Sequence, residues 1–154
     1  MELADLVSLD GIIAASTATS KKQALQELSR RAAEVTGISE ATIFDTLLER
    51  ERLGTTGIGS GIAIPHGKLA QIDRLYGLFA RLETAVNFDS LDDQPVDLVF
   101  LLLAPEAAGA DHLKALARVS RLMRDKQVCQ RLRECDNAAA ILSLITSPST
   151  PHAA

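Results

Sequence analysis

The chain has 154 residues, enough for one domain with a substantial core, and its formal charge of −4 gives no basic footprint for nucleic acid. Apolar residues make up 47% of it and aromatics only 3%, so the core is expected to be built from Leu, Ile, Val and Ala. No apolar run reaches the roughly eighteen residues of a spanning helix. The acidic start MELADLVSLD also lacks the basic-then-apolar order of a secretory leader, so the expectation is a cytoplasmic protein without membrane insertion.

SLDGIIAAS (8–16) carries the apolar pair Ile12-Ile13 beside turn residues and reads as a short strand or extended lead-in. Ser20 then precedes KKQALQELSRRAAEVTG, with Gln23 three residues on, as a capping box requires. Leu25, Leu28, Ala32 and Val35 form the apolar face of this helix and Gly37 stops it. Its charges, Lys21, Lys22, Glu27, Arg30, Arg31 and Glu34, read as a solvated face. Ser39 opens a second helix with Ile43, Phe44, Leu47 and Leu48 turned inward, ending in Arg50-Glu51-Arg52 before Gly54.

GIAIP reads as a short strand stopped by Pro65, because proline cannot donate to a sheet ladder. LYGLFARL (75–82) is a second strand, and PVDLVFLLLAP (95–105) is a nearly continuous apolar run that suits a central strand buried on both faces. Asp111 is expected to cap the next helix, with Leu113, Leu116, Ala117, Val119 or Ser120, and Met123 facing the core. Asp125 starts a short helix through Val128 and Leu132, and Asp136 caps a last one. The end, SPSTPHAA, is polar and proline-rich and is expected to be a flexible tail (147–154). Two helices, then strands, then helices imply an α/β or α+β layer fold in which helices cover a mixed sheet. Cys129 and Cys135 form no CxxC pair and are expected to be reduced, and no zinc-ligand spacing is present.

The stretch GIGSGIAIPHGK (57–68) invites a nucleotide reading that its spacing removes. Counting back five from Gly67 lands on Ile62, and Lys68 is followed by Leu69, so no Walker A loop is present. The dinucleotide fingerprint fails because Ile62 occupies its sixth position, and Ser60 between adjacent glycines is no nucleophile elbow. What remains is His66, expected on a turn directly after a strand, between rigid Pro65 and permissive Gly67. A neutral imidazole is nucleophilic near neutral pH and can form a covalent intermediate, although a turn histidine can equally be plain surface. Were the electrophile a phosphoryl group, cations or oriented donors would have to meet its oxygens. Arg50, closing the second helix, has the planar fork for this, or serves only as a helix C-terminal cation. His112 lies in the first turn of the helix after Asp111, where free N–H groups favour an anion, or is simply a partly exposed helix-start residue.

The stretches LLERERLGTTGIGSGIAIPHGK, QPVDLVFLLLAP and HLKALARVSRLMRD resemble the enzyme IIA domain of the fructose/mannitol type, from the phosphoenolpyruvate-dependent phosphotransferase system. The sharpest element is IAIPHGK with an arginine sixteen residues before its histidine, the spacing of Arg50 and His66. The resemblance spans one domain, residues 6–146, and implies an α/β fold with a mixed sheet flanked by helices on both faces. It implies His66 as phosphoryl acceptor through Nε2, Arg50 as the active-site arginine and His112 as the neighbouring histidine, with no metal or other cofactor. It also implies an HPr-like phosphocarrier as donor. TGIGSGIAIPHGKL, LETAVNFDSLDDQPVDLVFLLLAP and DKQVCQRLRE are most similar to the nitrogen-regulatory branch, whose phosphorylation state governs binding to targets such as potassium-uptake regulators. The alternatives are a sugar-specific IIA serving a IIB subunit and a binding module without phosphotransfer. The glycines are expected to leave room for a docking partner.

Overall fold

The computed structural model describes residues 2–147, so His152 and all of the expected tail beyond Ser147 lie outside the described residues. After a single helical turn at Leu3–Asp5 come β1 (Val7–Ser16), α1 (Lys21–Thr36) and α2 (Glu40–Leu53). Three short strands follow, β2 (Gly57–Gly59), β3 (Ile62–Ala63) and β4 (His66–Leu69), and then the long strands β5 (Tyr76–Val86) and β6 (Val96–Pro105). The chain closes with α3 (Ala110–Arg124), α4 (Lys126–Glu134) and α5 (Ala138–Thr146).

The sheet is mixed and ordered β1-β5-β6-β3-β2, with β4 also pairing with β6. β6 runs antiparallel to β5 and parallel to β3 and β4, while β1 is parallel to β5. The apolar run of β6 is buried on both faces, as expected of a central strand. Val99, Leu101 and Leu103 pack with Leu25, Leu28, Ile43 and Leu47 of α1 and α2. Leu98, Phe100 and Leu102 pack with Val119, Met123, Leu132, Ile141 and Ile145 of α3 to α5. Helices thus flank the sheet on both faces of a single domain.

Local signals set most helix ends. Ser20 Oγ accepts from Gln23 N at 3.1 Å, and the Gln23 side chain reaches back one residue further than the usual box, to Thr19 N at 2.8 Å. Ser39 Oγ accepts from Thr42 N at 3.1 Å, and Asp125 Oδ1 accepts from Gln127 N and Val128 N. Two expected caps are corrected. The residue preceding α3 is Gly109, with no side-chain cap, and Asp111 sits inside the first turn. The α5 cap is Asn137, accepting from Ala140 N at 3.0 Å, in place of Asp136.

The core face of α3 is corrected as well. Leu113 is 70% exposed, while His112, Ala115, Val119 and Met123 face inward and Leu116 is half-buried; Ala117 is exposed. A stripe that begins with a histidine and an alanine carries little apolar signal, so the more hydrophobic neighbouring stripe was the one legible in sequence. Lys21 also departs from the solvated face. It lies 2.8 Å from Glu51 Oε2 and 4.8 Å from the centroid of the buried Phe88 ring. Arg31 similarly turns to the sheet, donating to the carbonyls of Asp10 and Ile12 in β1 at 3.0 and 3.1 Å. Cys129 and Cys135 form no disulfide. No described helix is long and apolar enough to cross a membrane.

Candidate functional site

The structure brings the three predicted residues together beside the C-terminal half of β6. His66 does not stand on a turn after a strand: β3 ends at Ala63, and His66 opens β4, paired in parallel with Leu102 of β6. Pro65 interrupts the edge yet contributes its carbonyl, which accepts from Leu102 N at 3.0 Å. Arg50 comes from the last turn of α2 and His112 from the first turn of α3, so elements from both faces of the sheet meet here. Together with Thr46, Glu49, Leu53, Gly67 and Lys68 they line a pocket of about 380 Å³.

Two hydrogen bonds determine the state of His66. Nδ1 lies 2.9 Å from the carbonyl oxygen of Ile64, which can only accept, so Nδ1 carries the proton. Nε2 lies 3.3 Å from Arg50 Nε, which can only donate, so Nε2 holds its lone pair. Both contacts specify the same neutral tautomer. Burial lowers the His66 pKa below 6.5 and the Arg50 charge lowers it further, opposed by the Ile64 bond and by Glu51. Arg50 is itself braced by Nη1, which donates to Gly54 O at 3.0 Å.

His112 meets the His66 ring edge-on, with centroids 5.8 Å apart and planes at 66°. It is 7% exposed, and its Nε2 is buried with no hydrogen-bond partner among the described residues. Its pKa is lowered chiefly by burial, then by the nearby His66 and Lys68 charges. Two imidazoles in this proximity disfavour each other's protonation. Chemically the arrangement supplies an uncharged nitrogen nucleophile, a guanidinium beside it and a second imidazole with an unused ring nitrogen.

Lowered pKa values on both histidines carry a sign. The unfolded chain takes up protons at these two side chains as pH falls below 6.5, while the folded chain resists until its own lower values are reached. Their contribution to stability is therefore intact above 6.5 and diminishes as pH falls through the folded values. Imidazole resonances followed by NMR should titrate below pH 6.5 at both positions; a midpoint at or above that value for either would contradict this environment.

Sequence reading missed the support beneath Arg50. The Glu51 carboxylate, 5% exposed, accepts from Thr56 N at 3.2 Å and from the Thr56 hydroxyl while pairing with Lys21. Thr55 Oγ1 donates to Phe88 O at 2.8 Å, which joins the same loop to the segment after β5. Ion pairs across such separations leave no local pattern to find. The glycines are corrected too. A Cβ on Gly57 would meet Ser90 Oγ at 2.5 Å, one on Gly59 would meet Asp92 Oδ2 at 3.1 Å, and one on Gly61 would meet Arg133 Nη2 at 2.6 Å. The chain's own side chains fill the space that was expected to receive a partner. Gly61 also abuts Asp97 and Leu98 at the start of β6, four residues from the level of His66 and on the order of 15 Å away along the strand.

A mixed sheet sandwiched by helices, with paired imidazoles and a guanidinium at one end of its central strand, defines a narrow structural class. The chain matches, over residues 5–147, the family described as phosphoenolpyruvate-dependent sugar phosphotransferase system, EIIA 2, and it belongs to that family. It is 56% identical over 148 residues to a nitrogen regulatory protein of Bradyrhizobium diazoefficiens, covering 96% of this chain and 97% of that one. The crystal structure of nitrogen regulatory protein IIA-Ntr from Neisseria meningitidis superposes with a TM-score of 0.88 at 33% identity, covering 94% and 99% of the two chains. IIA mannitol from Escherichia coli shares the fold, with a TM-score of 0.76 at 22% identity over 90% of this chain and 97% of that one. A phosphotransferase-system IIA role follows from this membership.

Proposed function

We propose that the chain is a phosphorelay protein of the nitrogen-regulatory branch, with His66 as the residue that carries the phosphoryl group. The observation that carries this reading is the fixed tautomer: with Nδ1–H committed to Ile64 O, the nucleophile is the Nε2 lone pair, which meets only the long hydrogen bond from Arg50 Nε. In the transfer, a P–N bond forms at His66 Nε2 while the P–N bond to the histidine of an HPr-like carrier breaks, returning that electron pair to the carrier nitrogen. No proton needs to leave His66. Its Nδ1–H stays on the Ile64 carbonyl, which stabilises the positive charge that develops on the ring. The Arg50 guanidinium meets the phosphoryl oxygens, and His112 offers Nε2 as a further donor beside the N-terminal turn of α3.

The phosphorylated site then acts on binding. A phosphoryl group adds roughly −1.5 to −2 charges at a pocket lined in part by the exposed Leu53. Targets such as potassium-uptake regulators distinguish the two forms by this change. The similarity to chains named nitrogen regulatory protein supports this branch over a sugar-specific one.

The test is to incubate the chain with phosphoenolpyruvate, enzyme I and an HPr-like carrier and to read intact mass. One added phosphoryl group, lost on acid treatment and retained in base, is expected. No addition would end the reading. Efficient onward transfer to a fructose- or mannitol-type IIB would replace the regulatory branch with the sugar-transport one.

A further inference from the structure

α2 and β4 touch at Gly67. The main chain there runs so close to the helix that a Cβ on Gly67 would fall 2.8 Å from Thr46 Cγ2, with Leu47 Cδ2 next at 3.8 Å. Gly67 does not have a left-handed backbone, so among the described residues the close obstacle to a side chain at this position is Thr46. Both residues adjoin the site. Thr46 stands one turn before Arg50 and lines the same pocket, and Gly67 directly follows His66.

Thr46 is also held in place. Its Oγ1 donates to Thr42 O at 2.9 Å, and a β-branched side chain in a helix has few χ1 choices. Anchoring the hydroxyl directs the methyl onto Gly67. The separation this contact sets is a sensitive one, because Arg50 Nε to His66 Nε2, at 3.3 Å, is already at the long end for a hydrogen bond. Moving α2 outward by about half an ångström breaks it.

We propose that Thr46 is a positioning residue: its anchored methyl, seated on the bare Cα of Gly67, sets the spacing between Arg50 and His66. This rests on the phosphoryl-acceptor reading of His66, but the spacing can be read without any phosphoryl transfer. In Gly67→Ala the new methyl pushes α2 away from β4. Phosphoryl acceptance is expected to slow by about 10- to 100-fold. The His66 imidazole should titrate at higher pH than in the parent, because the Arg50 charge has withdrawn.

The deciding variant is Gly67→Ala/Thr46→Ser. Serine keeps the hydroxyl anchor and removes the clashing methyl, so both the rate and the His66 titration should return most of the way to the parent values. A double variant no better than Gly67→Ala, or a Gly67→Ala chain unchanged in both readouts, overturns the proposal. Should Gly67→Ala fail to fold, Thr46→Val takes its place: it keeps the shape but loses the anchor, and an unchanged rate and titration would again overturn it. If the parent chain accepts no phosphoryl group, the acceptor reading fails, while the titration series still decides the positioning role.

Discussion

Replacement of His66 by alanine is expected to abolish phosphoryl acceptance while leaving the protein folded. The imidazole is half-buried, and its removal deletes two hydrogen bonds, the neutral one to Ile64 O and the long one accepted from Arg50 Nε. Each contributes about 1 kcal/mol, together a shift of roughly 4–8 °C in the unfolding midpoint for a domain of this size. His112 is the other imidazole among the described residues, but it is 7% exposed and approaches His66 edge-on. Arg50→Ala separates support from acceptance: it leaves the nucleophile in place and should slow transfer by about 10²–10³-fold, the effect of removing one donor to a developing charge. Intact-mass time courses on the two variants check both statements. Residual labelling of the His66→Ala chain would place the acceptor elsewhere, and equal loss in the two variants would mean that Arg50 is needed for more than charge.

The second large effect falls on stability. Glu51→Ala should cost about 2–4 kcal/mol, because it strands two buried donors and removes the nearer of two carboxylates from Lys21. The buried Thr56 loses acceptors for both its N–H and its hydroxyl. The Lys21 ammonium, 19% exposed, loses its 2.8 Å partner and keeps only the weaker contacts to Asp89 at 3.8 Å and Phe88 O at 3.5 Å. For a domain of this size the unfolding midpoint should fall by roughly 10 °C. Calorimetry reads it directly. Adding Lys21→Met to Glu51→Ala should recover part of the loss, since the ammonium held only by Asp89 and Phe88 O is then gone; no recovery would assign the whole cost to Thr56.

How far the sequence foretold this molecule depends on the range over which each feature is encoded. β6 was legible because burial on both faces demands an unbroken apolar run, and PVDLVFLLLAP is one. Ser20, Ser39 and Asp125 were legible as caps because a cap is a bond to a residue two or three positions away. Asp111 and Asp136 misled because a neighbouring residue, Gly109 or Asn137, holds the cap position instead. β2, β3 and β4 were poorly legible, since strands of two to four residues owe their existence to register with a partner far along the chain. At the site, residue types and spacing left Arg50, His66 and His112 as open alternatives, and the family resemblance assembled them. The bonds that define the His66 tautomer, the Lys21–Glu51 pair and the Thr46–Gly67 contact arise only on folding.

The glycine-rich stretch is one string in the sequence and two constraints in the molecule. Gly57, Gly59 and Gly61 fit against Ser90, Asp92 and Arg133 at one end of the central strand, whereas Gly67 fits against Thr46 beside His66 at the other. Damage to the first three therefore reduces how much intact protein a cell maintains, because crowding at those positions lowers the folded fraction presented to quality control. Damage to the fourth reduces what each intact molecule does. Within a dozen consecutive residues the chain thus separates its abundance from its specific activity.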